Sequence, residues 1–152
     1  MKIAILAVGK MRGEPAARLY ETYVSRLPWK VALSEIEDKN KSPAERQAGE
    51  CRKLLAALPK GATLVVLDPR GRELSSEDFA QALGKWRSEG AKTLAFAIGG
   101  ADGFTDEFRS RAAVALSFGP MTWPHLLARV MLAEQLYRAS AILAGHPYHR
   151  GG

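Results

Sequence analysis

The stretch Leu94-Ala95-Phe96-Ala97-Ile98-Gly99-Gly100-Ala101-Asp102-Gly103 contains an apolar run followed by a glycine-rich turn. The run is short, continuous and apolar, which is typical of a buried strand. Thr105-Asp106-Glu107 follows it, and a cap residue with two acids is typical of the first turn of a helix. A strand, a loop and a helix in this order predict one unit of an α/β fold.

The same alternation extends to both ends of the chain. Four further apolar runs predict strands at residues 3–8, 31–36, 63–67 and 114–118. Apolar residues at helical spacing lie between them: Ala16, Leu19, Tyr23 and Leu27; Ala44, Ala48, Cys51, Leu55 and Leu58; Phe79, Leu83 and Trp86. Ser42-Pro43-Ala44-Glu45 is a capping box with proline at the first helical position. We therefore predict one domain over residues 1–152, with a mostly parallel sheet and helices on both faces.

The composition excludes several classes of protein. The 152 residues are 47% hydrophobic and 25% charged, a balance that argues against disorder or coiled coil over the whole chain. A single cysteine excludes a disulfide framework and a cysteine-based zinc site, and no spacing of His, Asp or Glu predicts a metal site. No run approaches the length of a membrane span, and the first apolar run meets Gly9-Lys10 too soon for a signal peptide. We expect a soluble, cytoplasmic protein.

The net charge of +6 makes an anionic partner plausible. Residues 109–152 contain five arginines against one acidic residue, together with all three histidines. Arginine presents a planar fork suited to phosphate and to base edges. Chance enrichment in a short segment explains this count equally well.

The predicted helix at residues 124–143 is apolar on nearly every side. Its two apolar faces are Leu126, Val130, Ala133 and Tyr137, and Leu132, Leu136, Ala139 and Leu143. A helix of this kind is buried on more than one side. We expect a second subunit to cover one side, and the alternative is a central core helix of a monomer.

Ligands of open α/β sheets bind beyond the carboxyl ends of the strands, so three exits are candidates, after Leu67, Ile98 and Phe118. Glycines at Gly99 and Gly100 let a ligand approach the backbone, or they form a tight turn. Asp68 either contacts a ligand hydroxyl or begins a turn. Segment 9–13 lacks the ending of a phosphate loop and is predicted to be a turn.

The C-terminal segment is the strongest local anomaly. His146-Pro147-Tyr148-His149-Arg150 brings two imidazoles, a phenol and a guanidinium around one proline, whereas chain ends are usually bland. Such groups stack on bases, contact phosphate and move protons. The alternative is a tail that is merely docked by its proline and tyrosine.

Taken together, several segments resemble the RlmH family of SPOUT-class methyltransferases, which methylate a pseudouridine in bacterial 23S ribosomal RNA. The resemblance spans the whole chain in order. The segments that carry it are residues 5–10, 97–103, 116–125, 132–139 and the ending His146-Pro147-Tyr148-His149-Arg150.

The resemblance implies an α/β sheet with a deep C-terminal trefoil knot, which sequence rules alone would not propose because knots are rare. It implies S-adenosylmethionine as methyl donor, a homodimer joined through the last helix, and N(3) of a pseudouridine in the assembled ribosome as target. The cofactor-binding residues that it implies are Leu67, Gly99, Gly100, Gly119, Pro120, Met121, Thr122, Trp123 and Pro124.

Within this resemblance the tail is the predicted catalytic segment. We expect His149 to handle the imide proton, Arg150 to polarise a carbonyl or hold phosphate, and Tyr148 to stack or hydrogen-bond. Glu134 and Arg138 are four residues apart on the last helix and are expected to pair. The competing interpretations are a non-catalytic ribosome- or RNA-binding factor with this fold and a small flavodoxin-like nucleotide-binding enzyme.

Overall fold

The computed structural model describes residues 1–150, so the last two residues of the predicted domain lie outside it. Strands and helices alternate along the chain, and all five predicted strands are confirmed. The elements are β1 (Lys2–Val8), α1 (Pro15–Val24), β2 (Lys30–Ile36), α2 (Pro43–Ala57), β3 (Thr63–Glu73), α3 (Ser76–Ser88), β4 (Thr93–Ile98), α4 (Asp106–Ser110), β5 (Val114–Ser117) and α5 (His125–Leu143).

The strands form one parallel sheet in the order β2-β1-β4-β3-β5. Side chains of the central strands alternate between two cores, because successive residues of a strand point to opposite faces. Ile3 and Ile5 face the core formed with α1, α3 and α5, whereas Ala4 and Leu6 face the core formed with α2 and Phe108 of α4. The predicted α/β architecture with helices on both faces is confirmed.

The predicted helix starts are formed by the predicted caps. Ser42 accepts the Glu45 N–H at 3.4 Å, and Thr105 accepts the Phe108 N–H at 3.1 Å. The predicted apolar face of α1 is partly wrong, because Leu19 is 47% exposed while its neighbour Tyr20 is buried. Cys51, on the apolar face predicted for α2, is buried.

Helix α5 is covered largely by its own chain. It packs against α1 on one side and α3 on the other, and five of its predicted apolar residues belong to the same buried core: Val130, Leu132, Ala133, Leu136 and Ala139. The central-core alternative therefore explains most of its all-round apolar character. Leu127 is the large apolar side chain of this helix that stays exposed, at 40%.

Strand β3 does not end at Leu67 as predicted. Its register with β5 jumps between Leu67 and Arg72, so residues 68–71 bulge out before pairing resumes. Asp68 explains the start of the bulge, because its carboxylate accepts the Arg70 N–H at 2.8 Å. Gly71 then passes so close to β5 that a Cβ atom there would lie 2.5 Å from the Ala115 carbonyl oxygen.

The trefoil knot implied by the resemblance stays a prediction. Segment 9–13 is a turn, as predicted, and its Met11 N–H donates to Glu35 Oε2 at 2.9 Å. Among the described residues, no helix has the length and apolarity needed to cross a membrane.

Candidate active site

A cavity of about 610 Å³ lies where β3, β4 and β5 end. Its volume is within the usual range of about 300–1,000 Å³ for small-molecule sites. Eight of the nine predicted cofactor-binding residues line it, and Pro120 does not. The eight are Leu67, Gly99, Gly100, Gly119, Met121, Thr122, Trp123 and Pro124. The three predicted strand exits therefore meet around one cavity.

The loop after β5 is held in shape by its own contacts. The Ser117 hydroxyl donates to the Pro69 carbonyl at 3.1 Å and accepts the Gly119 N–H at 3.0 Å, so it connects the β3 bulge to the loop. Trp123 Nε1 donates to the Phe118 carbonyl at 3.2 Å and folds the loop back on itself. Gly119 has a φ of +101°, a conformation that favours glycine.

The glycine loop after β4 is anchored by helix α2. Arg46 forms a two-pronged contact with the Asp102 carboxylate at 2.7 and 3.2 Å, and Gln47 donates to the Asp102 carbonyl at 2.8 Å. The buried Glu50 lies directly behind Gly100, where a Cβ atom would be 3.0 Å from the Glu50 carboxylate. Burial raises the pKa of Glu50, and the negative charge of Asp102 adds to this effect. The sequence interpretation missed these α2 contacts because they join residues about fifty positions apart.

Asp68 forms the turn to Arg70, the first of its two predicted alternatives. It also lines the cavity, and its contact with a ligand hydroxyl stays a prediction. Burial acts to raise the pKa of its carboxyl, but hydrogen bonds from the Arg70 N–H and from Arg109 outweigh burial and hold that pKa below the ordinary value. Arg109 lies 2.7 Å from this carboxylate. Asp68 therefore faces the cavity as an ionised carboxylate whose charge is balanced by Arg109.

The cavity also has lining residues that were not predicted as ligands. Phe104, Leu116 and Phe118 give it apolar walls, and His125 and Ala128 contribute the first turn of α5. Apolar walls beside exposed glycine backbone fit a flat base attached to a polar chain. The residues present therefore fit a nucleoside-type cofactor such as S-adenosylmethionine.

The predicted catalytic tail docks elsewhere on the same chain. Tyr148 packs edge-on against Tyr137 with ring centres 4.6 Å apart, and its hydroxyl donates to Glu134 at 3.1 Å. His149 lies between Arg138 and Glu77, and Arg150 Nε donates to the Pro147 carbonyl at 3.2 Å. None of the three predicted tail residues lines the cavity at the strand ends.

A second cavity, of about 540 Å³, lies between α1, α3 and α5. It shares Leu116, Phe118 and Gly119 with the first cavity, and Glu134 lines its other side. Since Glu134 also holds Tyr148, the second cavity lies between the tail and the cavity at the strand ends.

The arginines of residues 109–152 mostly form ion pairs within the chain. Four of the five pair with acids: Arg109 with Asp68, Arg111 with Glu107, Arg129 with Glu35, and Arg138 with Glu134. The positive charge of this segment is therefore largely balanced by acids of the same chain, which weakens its interpretation as a surface for an anionic partner. Within residues 1–150, no group of three or more His, Cys, Asp or Glu side chains is arranged to hold a metal ion.

Comparison with known proteins gives the family. A family model described as "Predicted SPOUT methyltransferase" matches residues 1–149. The chain is 53% identical over 151 residues to a protein of Rhodospirillum centenum named ribosomal RNA large subunit methyltransferase H, and 50% identical to one of that name from Paramagnetospirillum magneticum. Each alignment covers 99% of both chains.

Two solved structures support the fold. A probable methylase family protein from Haemophilus influenzae matches 97% of this chain and 70% of its own, with a TM-score of 0.57 and 11% identity. A putative methyltransferase from Legionella pneumophila, solved with bound S-adenosylmethionine, matches 91% of this chain and 66% of its own, with a TM-score of 0.50 and 16% identity. The chain belongs to the SPOUT methyltransferase family and, within it, to the ribosomal RNA large subunit methyltransferase H group.

Proposed function

We propose that this protein transfers the methyl group of S-adenosylmethionine to N(3) of a pseudouridine in 23S ribosomal RNA of the assembled ribosome. The observation that carries the proposal is the cavity at the ends of β3, β4 and β5, lined by the loops expected to hold the cofactor. The full-length relatives carry the name of an enzyme acting on large-subunit ribosomal RNA. A cytoplasmic location is part of this proposal, because the proposed substrate is the ribosome.

Bound S-adenosylmethionine supplies an activated methyl group, so the chain has chiefly to align it with the target nitrogen. The glycine loop 99–103, fixed by α2, and the loop 119–124, fixed by Ser117 and Trp123, are suited to hold the cofactor in one position. The apolar walls Phe104, Leu116 and Phe118 are suited to exclude water from that position once the cofactor is bound.

The imide N–H of the target must lose its proton, and a positioned base accelerates that loss. We assign this role to His149, with Tyr148 stacking on or hydrogen-bonding to the base and Arg150 contacting a carbonyl or phosphate. Support comes from the polar contacts that order the tail: the Tyr148 hydroxyl on Glu134 and the His149 ring between two charged groups.

A transfer assay with labelled S-adenosylmethionine tests the proposed function. Assembled ribosomes, isolated subunits and free RNA are offered separately, and label is expected in 23S ribosomal RNA of assembled ribosomes. Label in none of the three contradicts the proposal. Calorimetry separates the alternative of a non-catalytic ribosome-binding factor, because such a factor would bind ribosomes and ignore the cofactor.

Filling the cavity is expected to weaken cofactor binding. Ala128→Phe adds a ring to the cavity wall, and we expect the dissociation constant of S-adenosylmethionine, measured by calorimetry, to rise by about tenfold or more, roughly 1.4 kcal/mol. Ala144→Phe, at the exposed end of the same helix, is the matched control and should bind the cofactor normally. Equal affinities in the two variants would place the cofactor elsewhere.

We further propose that the protein acts as a homodimer. Within one chain the tail does not line the cofactor cavity, so a second copy is a direct way to complete the site. Four large apolar side chains remain exposed for such a contact: Leu19, Met121, Trp123 and Leu127. Leu19 and Leu127 lie on α1 and α5, which pack side by side.

Charge placed in this apolar surface is expected to break the dimer. In Leu19→Asp/Leu127→Asp, dimerisation would bury two carboxylates of each subunit without partners, so sedimentation should show monomers at concentrations where the parent is dimeric. Ala44→Asp, an exposed position in the first turn of α2 on the opposite face of the sheet, is the matched control. A parent that sediments as a monomer, or a double variant that stays dimeric, contradicts this interface.

A further inference from the structure

The His149 ring has both nitrogens engaged by charged side chains. Its Nδ1 lies 3.1 Å from Nη1 of Arg138, on α5. Its Nε2 lies 2.7 Å from Oε1 of Glu77, in the first turn of α3. The His149 side chain is only 11% exposed, so the ring is held by these two side chains and has little contact with water.

The chemistry of these two partners allows one arrangement of hydrogens on a neutral ring. Arginine only donates hydrogen bonds, so Nδ1 must accept with its lone pair. The ring hydrogen then lies on Nε2, where it donates to the Glu77 carboxylate. The hydrogen bond from His149 lowers the pKa of Glu77, consistent with an ionised acceptor.

Arg138 is itself held in place. Glu134 accepts its Nε at 3.0 Å and its Nη2 at 2.5 Å, and its guanidinium lies 4.9 Å from the centre of the Tyr148 ring. Tyr148 donates to the same Glu134 oxygen. The charge of Arg138 is thus neutralised by Glu134, while Nη1 remains directed at His149.

We propose that Glu77 and Arg138 are positioning residues that hold His149 with its hydrogen on Nε2 and keep Nδ1 as the basic nitrogen. The inference rests on the proposed function, in which His149 takes the imide proton. When the substrate replaces Arg138 at Nδ1, the imide N–H bond breaks, the proton moves to Nδ1, and the electron pair stays on the imide nitrogen. Glu77 is then the counter-ion of the imidazolium, as the orienting carboxylate is in a catalytic triad.

Charged groups on α3 and α5 face the His149 ring. Glu77 stabilises the protonated ring and Arg138 opposes it, while Glu134 offsets Arg138 and Tyr148 stacks beside it. Replacing Glu77 with a neutral residue removes the stabilising charge. Glu77→Gln should therefore slow proton transfer from the imide to His149.

Two measurements test the proposal. In ¹⁵N-histidine spectra of the full chain, assigned with a His149→Gln variant, neutral His149 should carry its hydrogen on Nε2 in a single population. In the transfer assay, Glu77→Gln should lower kcat about tenfold, part of the roughly 10²–10⁴-fold contribution of a positioned base, with both KM values unchanged. Glu77→Asp should restore part of the loss, and Asp78→Asn, the exposed neighbouring acid, is the matched control.

A hydrogen on Nδ1, or mixed tautomers, overturns the proposal, as does a kcat for Glu77→Gln equal to that of Asp78→Asn. A parent protein that methylates none of the RNA substrates overturns the proposed function instead. The spectra need no RNA, so they still decide the state of His149 in that case.

Discussion

Replacing His149 with alanine is expected to lower kcat for RNA methylation by about 10²–10⁴-fold, the usual contribution of a positioned general base. The dissociation constant of S-adenosylmethionine should stay unchanged, because the loops at the strand ends hold the cofactor whereas His149 is assigned to the RNA base. Single-turnover methylation of ribosomes and calorimetry of cofactor binding measure the two quantities separately.

The matched control for this substitution is His146→Asn. His146 is exposed, and its Nδ1 accepts the Tyr148 N–H at 3.2 Å, a bond that the asparagine side chain can also accept. The control should therefore keep the tail in shape and methylate at the parent rate. Full activity in His149→Ala would assign the imide proton to another group and contradict the proposed role of His149.

Local sequence signals predicted the elements of the fold well, because capping and apolar periodicity act within a few residues. Ser42 and Thr105 each cap the helix that was predicted to start there. Strand order is different, since it depends on contacts between distant segments. The pairing of β5 with β3, with β4 on the other side of β3, has no signature in any single stretch of residues.

The cofactor loops were predicted by resemblance, whereas their supports were not predicted at all. Arg46 with Asp102 and Arg109 with Asp68 join residues 56 and 41 positions apart. A net charge summed from composition treats these residues as unpaired. In the folded chain they are paired, and this is why the arginine count of residues 109–152 overstated the positive surface.

The position of the docked tail also depends on contacts between distant segments. The sequence predicted chemistry at His149 from its residue type and from the resemblance, but its partner Glu77 lies 72 positions away. Glu77 is indistinguishable in sequence from an ordinary first-turn acid of α3. The contact between them emerges only when α3 and α5 pack side by side.

A second large effect is expected at the ion pair between Arg129 and Glu35. The Arg129 side chain is fully buried, and its Nη1 lies 2.5 Å from Glu35 Oε2. The same arginine reaches the Gly9 carbonyl at 3.3 Å, and the same carboxylate oxygen accepts the Met11 N–H. The pair therefore fastens α5 to the carboxyl ends of β1 and β2, beside the turn against which His125 packs.

Breaking this pair from either side should cost about 3–5 kcal/mol of unfolding free energy, because each single change leaves a charge without its partner. Glu35→Gln is expected to cost more than Arg129→Met, since Arg129 is fully buried whereas Glu35 is about one-quarter exposed and can be partly hydrated. The double variant should cost less than the sum of the two, with a coupling energy of roughly 2 kcal/mol. Urea unfolding followed by tryptophan fluorescence at one protein concentration measures all three. Strict additivity would show that the two charges stabilise the fold independently, and the fastening of α5 would then rest on its apolar contacts with α1 and α3.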